Sequence, residues 1–484
     1  MADDTVTTVD TTADDALGAD DVTALLGRLA RREVSAGELR DAALARAHAA
    51  NGHLNAVTSW VDASVGGDAA DAADAPLAGI PTLVKDNEDL DGYRTSHGSW
   101  ATPDRPAAKS SPWVKQYLQL GVSPIAKTTL PEFGLTASTE SLRFGATRNP
   151  WNTERSAGGS SGGSAALVAA GVGPIAHAND GGGSIRIPSS ANGLFGLKPS
   201  RGRVPNAPAV DSFSYPVGCN HAVTRTVRDS AALLDAVSGP TVGDPFAAPT
   251  PTRPFLEEVG APTGRLRVAF TTDTAKGESA DPELVDAVHR AAALCEELGH
   301  EVEEAPFSYD VDMHGRAMNA IMGVSVAAPV DRRLAELGRE LRDDDLEPFT
   351  RIMYDMAKGQ TAVSYYAALQ DAERITRDIA PFFVTYDLLL TPTMQMTVPR
   401  HGFADTSKPE TMPNAAKFAA FTAIFNLTGQ PAVSIPFGAD AHGLPLGIQF
   451  AARYGAEDLL LRLSAQFEAA APWPLTAPWP PKES

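Results

Sequence analysis

Apolar positions along the chain recur with two different periods. Over residues 21–32 and 35–51 they follow the three-to-four-residue spacing of amphipathic helices. The second helix is opened by Ser35-Ala-Gly-Glu38, the pattern of a capping box, and is expected to stop at Asn51-Gly52. Gly79-Ile-Pro-Thr-Leu-Val-Lys85 and Gly121-Val-Ser-Pro-Ile-Ala-Lys127 read as strands, with a helix over 112–120 between them. Farther on, a strand at 265–271, a helix at 282–298 closed by Gly299 and a strand at 301–305 form a β-α-β unit. Residues 310–381 are largely helical and carry Met313, Met318, Met322, Met353 and Met356. Strands at 387–391, 432–436 and 447–451 and a helix at 456–468 complete a layered α/β pattern. No internal repeat interrupts it, and the Pro-rich run 239–254 is the best internal linker, across which later strands can still join the earlier sheet.

Composition narrows the function classes. The 484 residues are 43% hydrophobic, enough for a substantial core, and 40 Lys and Arg against 60 Asp and Glu leave a formal net charge of −20. That charge repels phosphate backbones and anionic headgroups, so nucleic acid and membrane surfaces are poor partners. Two cysteines, Cys219 and Cys295, supply neither a disulfide framework nor a multi-cysteine zinc site. The longest apolar stretch, 165–176, is too short to span a bilayer and is broken by Gly and Pro. Seven Asp and no Lys or Arg precede Arg28, the reverse of a signal peptide, so the expected setting is cytoplasmic. Residues 1–18 are expected to be a disordered acidic tail and 476–484 a flexible carboxy-terminal one.

The chemistry concentrates in two glycine loops, Ser156-Ala-Gly-Gly-Ser-Ser-Gly-Gly-Ser164 and Asn179-Asp-Gly-Gly-Gly-Ser-Ile-Arg-Ile-Pro188. Neither contains a phosphate-loop motif, and the loose dinucleotide match Gly171-Val-Gly-Pro-Ile-Ala176 follows a helix and holds a proline where one should begin. The ten histidines show no metal-binding spacing, which makes His177 structural rather than a ligand, and no cofactor is implied. Gly159-Ser-Ser161-Gly-Gly163 fits the nucleophile-elbow pattern, which would make Ser161 an esterase-type nucleophile. That elbow needs a buried strand before it, whereas residues 148–155 are polar and contain a proline. A third reading uses all the unusual features. Gly181-Gly182-Gly183-Ser184 offers successive unobstructed backbone N–H groups ending in a hydroxyl, suited to an oxyanion hole and its nucleophile. Lys85, at the end of an apolar strand, could serve as base, because desolvation leaves a neutral amine; the alternative is a surface lysine whose stem covers the strand.

Together, Lys85 after Gly-Ile-Pro-Thr-Leu-Val, the Gly158-Gly-Ser-Ser-Gly-Gly-Ser164 loop and Asp180-Gly-Gly-Gly-Ser-Ile-Arg-Ile-Pro188 resemble the amidase signature family. The likeness extends through Leu54-Asn-Ala56, Pro131-Glu-Phe-Gly134, Gly145-Ala-Thr-Arg-Asn-Pro-Trp-Asn152, Gly196-Leu-Lys-Pro-Ser-Arg-Gly-Arg203, Leu388-Leu-Leu-Thr-Pro-Thr393, Asn426-Leu-Thr-Gly-Gln-Pro431 and Gly443-Leu-Pro-Leu-Gly-Ile-Gln449. Ala176-His-Ala-Asn-Asp180 and Tyr454-Gly-Ala-Glu-Asp-Leu-Leu-Leu461 are similar to the branch with 6-aminohexanoate cyclic-dimer hydrolases and metagenomic urethanases.

The resemblance implies a single α/β/α domain over residues 19–475, with a mixed central sheet flanked by helices and a helical insertion at 310–380 that could cover the substrate pocket. It implies a Ser-cisSer-Lys triad: Ser184 as nucleophile, Ser160 as bridging serine and Lys85 as base. Ser160 is preferred to Ser161 because the family's bridging serine directly follows the Gly-Gly pair, and the Gly159–Ser160 peptide would be cis. The oxyanion hole maps to the amides of Gly181, Gly182, Gly183 and Ser184. Gly181 departs from the larger residue many members carry, which should widen that wall. Asp180 and Arg186 match paired charges that brace the loop, with a plain surface ion pair as the alternative. Gly134, Leu135, Thr136 and His177 are the expected pocket walls beside the insertion. The implied function is hydrolysis of small-molecule amides (linear, aryl or cyclic) or carbamates by a monomer or homodimer. The alternative within the family is a glutamine-dependent amidotransferase subunit, which the absence of a basic patch disfavours.

Overall fold

The computed structural model describes residues 15–65, 75–102, 104–205, 216–240 and 242–478. Strands β1 (Val57–Trp60), β2 (Pro81–Lys85) and β3 (Ser123–Thr128) form a small sheet in the order β1-β3-β2. The short strands β4 (Glu140–Ser141), β5 (Gly145–Ala146), β6 (Arg148–Asn149) and β7 (Asn152–Ser156) make two separate hairpins. The central sheet takes in β8 (Ile175–Asp180), β9 (Phe195–Lys198), β10 (Cys219–Thr224), β11 (Arg267–Phe270), β12 (Glu301–Glu304), β13 (Leu388–Pro392), β14 (Ala432–Ala439) and β15 (Pro445–Ala452). Its spatial order is β12-β11-β13-β15-β14-β9-β10-β8. The sheet is mixed: β11 pairs in parallel with β12 and β13, and the remaining neighbours run antiparallel. Strands on both sides of the Pro-rich run share this one sheet, and Ala248 within the run donates its amide to Gly202.

The two sheets meet edge to edge at β2 and β8. In place of a ladder, Lys85 donates its backbone N–H to His177 Nδ1 at 3.3 Å and Thr82 Oγ1 reaches the Ile175 carbonyl at 3.2 Å. This junction sets the end of β2 beside the end of β8, where the second glycine loop begins.

Several sequence expectations shift in detail. The capping box forms, with Glu38 N–H donating to Ser35 Oγ at 3.2 Å and Ser35 N–H to Glu38 Oε2 at 2.8 Å. The helix it opens runs on past Asn51-Gly52 to Leu54 and stops at Asn55, whose φ is +53°. Asn51 Oδ1 instead accepts the amides of Ala56 and Val57 and turns the chain into β1. The apolar stretch 165–176 is two elements: the helix Gly162–Ala169 and, after Gly171-Val-Gly-Pro174, the opening of β8. Strands β8 to β10 escape a pattern search because burial on both faces removes the period-two signal.

The insertion is helical as expected, over Val311–Leu337, Pro348–Lys358 and Ala362–Ile379. The first helix packs Ala317 and Ile321 with Ile375, Ile379 and Phe425, and its second half packs Val326, Ala327, Val330 and Leu334 around Phe133. The methionines divide accordingly: Met353 is buried and Met356 exposed.

Both tail boundaries move. Most of the expected acidic tail, 1–14, lies outside the described residues, but 15–18 is held in place: Asp15 pairs with Arg46 at 2.6 Å and Leu17 is buried. At the other end Ala477 is buried and donates to the Ala169 carbonyl at 2.7 Å, with 479–484 outside the described residues. Among the described residues no helix is long and apolar enough to cross a membrane.

Candidate active site

Lys85 closes β2 with a side chain 0% exposed. Its Nζ contacts Ser160 Oγ at 2.7 Å, Asn179 Oδ1 at 2.7 Å and Ser161 Oγ at 3.0 Å. Burial pulls the ammonium down to about 7, against the opposing charges of Asp180 and Glu88. The surface-lysine alternative is therefore excluded, and much of the amine is neutral at ordinary pH.

Ser160 and Ser161 are both fully buried at the start of the helix Gly162–Ala169. The Gly159–Ser160 peptide is cis, as the resemblance implies. Gly159 is required by close approach, since a Cβ there would lie 2.9 Å from the carbonyl carbon of Ala137. The elbow reading of Ser161 fails on topology: β7, the strand before it, forms a separate hairpin with two-residue β6 and an isolated bridge to Arg400, and it is not a strand of the central sheet.

Ser184 is 8% exposed, more than the other two triad candidates, and follows Gly183, whose φ is +138°. A Cβ on Gly183 would also strike Thr422 Oγ1 and the Ile187 side chain, so only glycine fits. The loop is fixed from below by Asp180. Its carboxylate accepts Gly183 N–H at 2.6 Å, Ile185 N–H at 3.2 Å and Arg186 Nε at 3.0 Å. Arg186 in turn reaches the Thr422 carbonyl, Gln449 Oε1 and Asn426 Oδ1. Burial alone would raise Asp180, but the Arg186 guanidinium overrides it and holds the carboxyl at about 2. Both side chains are 0% exposed, so the surface-pair alternative is wrong. One expected oxyanion donor is also removed: the Gly183 amide is taken by Asp180, which leaves those of Gly181, Gly182 and Ser184 as the loop's candidates.

The expected pocket walls separate. Ala137 and Ser138 press on Gly159, which brings the 134–138 segment to the Ser160 loop; Leu135 is partly exposed there, while Gly134 and Thr136 are buried and Thr136 Oγ1 bonds the Ser138 carbonyl. His177 is no wall. It is 0% exposed, packs against Trp113 and Tyr117, accepts the Lys85 amide on Nδ1 and stands 3.3 Å from Asn220 Oδ1 through Nε2. Burial drives it down to about 3, so it is a neutral prop behind Lys85.

Three residues of the site were not singled out from sequence. Asn179 follows His177 by two positions on β8, and strand alternation puts both on the face that meets Lys85. Thr422 donates to the Gly182 carbonyl at 2.7 Å. Met318, on the insertion, brings its Cε to 4.0 Å from where a Gly182 Cβ would stand. Asn179 had a usable signal, a polar residue inside a buried strand, and Met318 lies in the Met-rich segment expected to cover the pocket; Thr422 had none. Among the described residues no group of three His, Cys, Asp or Glu side chains could hold a metal ion.

Comparison with known proteins converges on one group. Residues 38–461 match the family described as Amidase. The chain is 36% identical over 481 residues to 6-aminohexanoate-cyclic-dimer hydrolase of Paenarthrobacter ureafaciens, covering 94% of this chain and 95% of that protein. The solved structure of a 6-aminohexanoate cyclic dimer hydrolase superposes with a TM-score of 0.88 at 35% identity, over 95% of this chain and 99% of the other. A bacterial aryl acylamidase of the amidase signature enzymes superposes with a TM-score of 0.83 at 26% identity, over 94% and 96% of the two chains.

Proposed function

The chain belongs to the amidase signature family and is an amide hydrolase, and from that premise we propose that it works through an acyl-enzyme on Ser184, with Ser160 as proton bridge and Lys85 as base. The observation that carries the assignment is the buried Lys85 Nζ, held at about 7 and 2.7 Å from Ser160 Oγ. Neutral Lys85 takes the Ser160 hydroxyl proton as Ser160 takes that of Ser184, and Ser184 Oγ attacks the amide carbon. The C–O bond forms and the carbonyl π pair moves onto oxygen. The amides of Gly181, Gly182 and Ser184 meet that oxyanion already oriented, an effect of about 3–4 kcal/mol per donor in comparable sites. As the C–N bond breaks, the Lys85 ammonium returns its proton through Ser160 to the leaving nitrogen. Water then attacks the acyl-Ser184 ester by the same relay, releasing the acid and restoring both hydroxyls.

The relatives' names support small amides as substrates: a cyclic amide in one case and aryl acylamides in the other. A carbamate fits the same relay, with loss of carbon dioxide after deacylation. The −20 charge weighs against the tRNA-linked amidotransferase role. The deciding experiment profiles anilides, linear and cyclic amides and carbamates with the wild-type, Ser184→Ala and Lys85→Ala proteins. Amide turnover abolished by Ser184→Ala and nearly so by Lys85→Ala is expected; full activity in Ser184→Ala with loss in Ser161→Ala would overturn the nucleophile assignment.

A further inference from the structure

Building on the reading of Lys85 as the base, we propose that Asn179 is the positioning residue that turns the lysine lone pair toward Ser160. Three oxygens surround Lys85 Nζ: Ser160 Oγ, Asn179 Oδ1 and Ser161 Oγ, at 2.7, 2.7 and 3.0 Å. A neutral amine has two N–H donors and one lone pair, so only one of the three can hand it a proton. Asn179 Oδ1 is an amide oxygen with no proton to give and must accept. Ser161 Oγ stands 3.4 Å from the backbone carbonyl of the same residue, which takes the Ser161 hydroxyl proton and leaves its lone pairs facing Nζ. Both N–H groups are then used, and the lone pair is left to Ser160. One residue thus sets both alternatives to Ser160, through its side chain and through its carbonyl.

A second observation separates this role from a merely structural one. Asn179 is buried, yet its Nδ2 has no partner among the described residues, so the contact with Lys85 is the side chain's one hydrogen bond. An asparagine placed to hold the fold would use both ends, since a buried unpaired donor is destabilising. The neighbouring His177 holds the Lys85 backbone and Asn179 holds its tip.

The charged and titratable groups facing the amine are Asp180 on β8, Glu88 in the loop after β2, and His177, which stays neutral. A carboxylate at 179 would join the first two, and opposite charge this close moves such a group by about 1–3 pH units. The test measures kcat and KM for an anilide from about pH 5 to 10 in Asn179→Asp, Asn179→Leu, Lys85→Ala and wild-type proteins. Asn179→Asp retains the accepting oxygen; its acid limb should move up by about 1–3 units. Asn179→Leu removes the acceptor; its plateau kcat should fall about tenfold or more with KM nearly unchanged and no upward shift of the limb. An unmoved limb in Asn179→Asp, or a KM that rises in step with the loss in Asn179→Leu, overturns the proposal. If the leucine variant does not fold, the isosteric aspartate variant decides alone. Substantial activity in Lys85→Ala removes the base reading itself, whereas a dead Lys85→Ala beside an unmoved Asn179→Asp limb removes only the role of Asn179.

Discussion

Gly183 donates its amide to Asp180 Oδ1 at 2.6 Å, which ties the loop carrying Ser184 to the end of β8. The bond takes one amide out of the oxyanion set and makes the position of the others depend on a carboxylate that Arg186 keeps ionised. Asp180→Asn is the informative change. An amide of the same size can still accept from Gly183, but its NH2 faces Arg186, and the guanidinium is left buried without a counter-charge. Unpairing a buried ion pair in this way is destabilising by about 3–5 kcal/mol. Denaturant unfolding should show that loss, with kcat lower in the folded fraction; the double variant Asp180→Asn with Arg186→Met should recover part of the stability and little of the activity. Equal stability of the single variant and wild type would show that Arg186 finds compensation elsewhere.

On the proposed mechanism the Lys85 amine sets the acid side of the activity profile. Its protonated form cannot accept a proton, so kcat should fall as pH drops through about 7 and level off above it. The same shift has a stability consequence of known sign. An unfolded lysine titrates near 10.5, so between about 7 and 10.5 the unfolded chain binds more protons and stability should rise with pH. Lys85→Met, which has no amine to deprotonate, should abolish turnover and flatten that rise. A wild-type activity profile flat from about pH 5 to 9 would contradict the neutral-amine base.

How much of this was legible in the sequence depends on whether a feature is local. The capping box at Ser35, the strand ending in Lys85 and the glycine loops are local patterns, and all three stand where the pattern put them. The strands β8 to β10 are buried on both faces and carry no alternation to detect. Ser160 and Ser161 are adjacent and Lys85 touches both, so geometry around Nζ alone leaves them even; the hydroxyl of Ser161 directed at the Asn179 carbonyl separates them. The loss of Gly183 from the oxyanion set and the burial of His177 follow from contacts between distant elements, which neither residue's neighbours in the chain announce.

Glu132 lies in the Pro131-Glu-Phe-Gly134 turn and fastens the insertion to the body. It is 1% exposed, accepts Ser99 Oγ on one oxygen and the Glu347 amide on the other at 2.7 Å, and Glu347 is itself buried and bonded to Thr406 and the Leu142 amide. Burial first, then the Glu347 charge, raise Glu132 to about 7. A carboxyl raised above its unfolded value keeps its stabilising proton at low pH, and stability is lost as pH climbs from about 4.5 through about 7. Glu132→Gln can keep both contacts, with its oxygen on the Glu347 amide and its NH2 on Ser99, and carries no charge. Its Tm should exceed wild type at pH 8 and match it near pH 5; a higher Tm at both would assign the gain to packing.

Met318 brings the insertion to the second glycine loop, and on the proposed function it would bear on substrate choice. Its Cε lies 4.0 Å from the position of a Gly182 Cβ, so the side chain stands beside one of the residues whose amides are proposed to receive the oxyanion. A thioether there can set the room for the substrate but adds nothing to the relay among Lys85, Ser160 and Ser184. Met318→Ala should leave kcat/KM for a small linear amide within about threefold of wild type and raise it for bulky cyclic or aryl amides by about 10-fold or more, the scale on which apolar pocket changes discriminate. Met318→Phe should reverse that order. Thermal unfolding followed alongside tests whether the helix Val311–Leu337 stays packed, because its hold on the body runs through Ala317, Ile321 and the cluster around Phe133 rather than through Met318 alone. Equal losses on small and bulky substrates with an unchanged Tm would place Met318 in the chemistry of the oxyanion loop instead of the pocket wall.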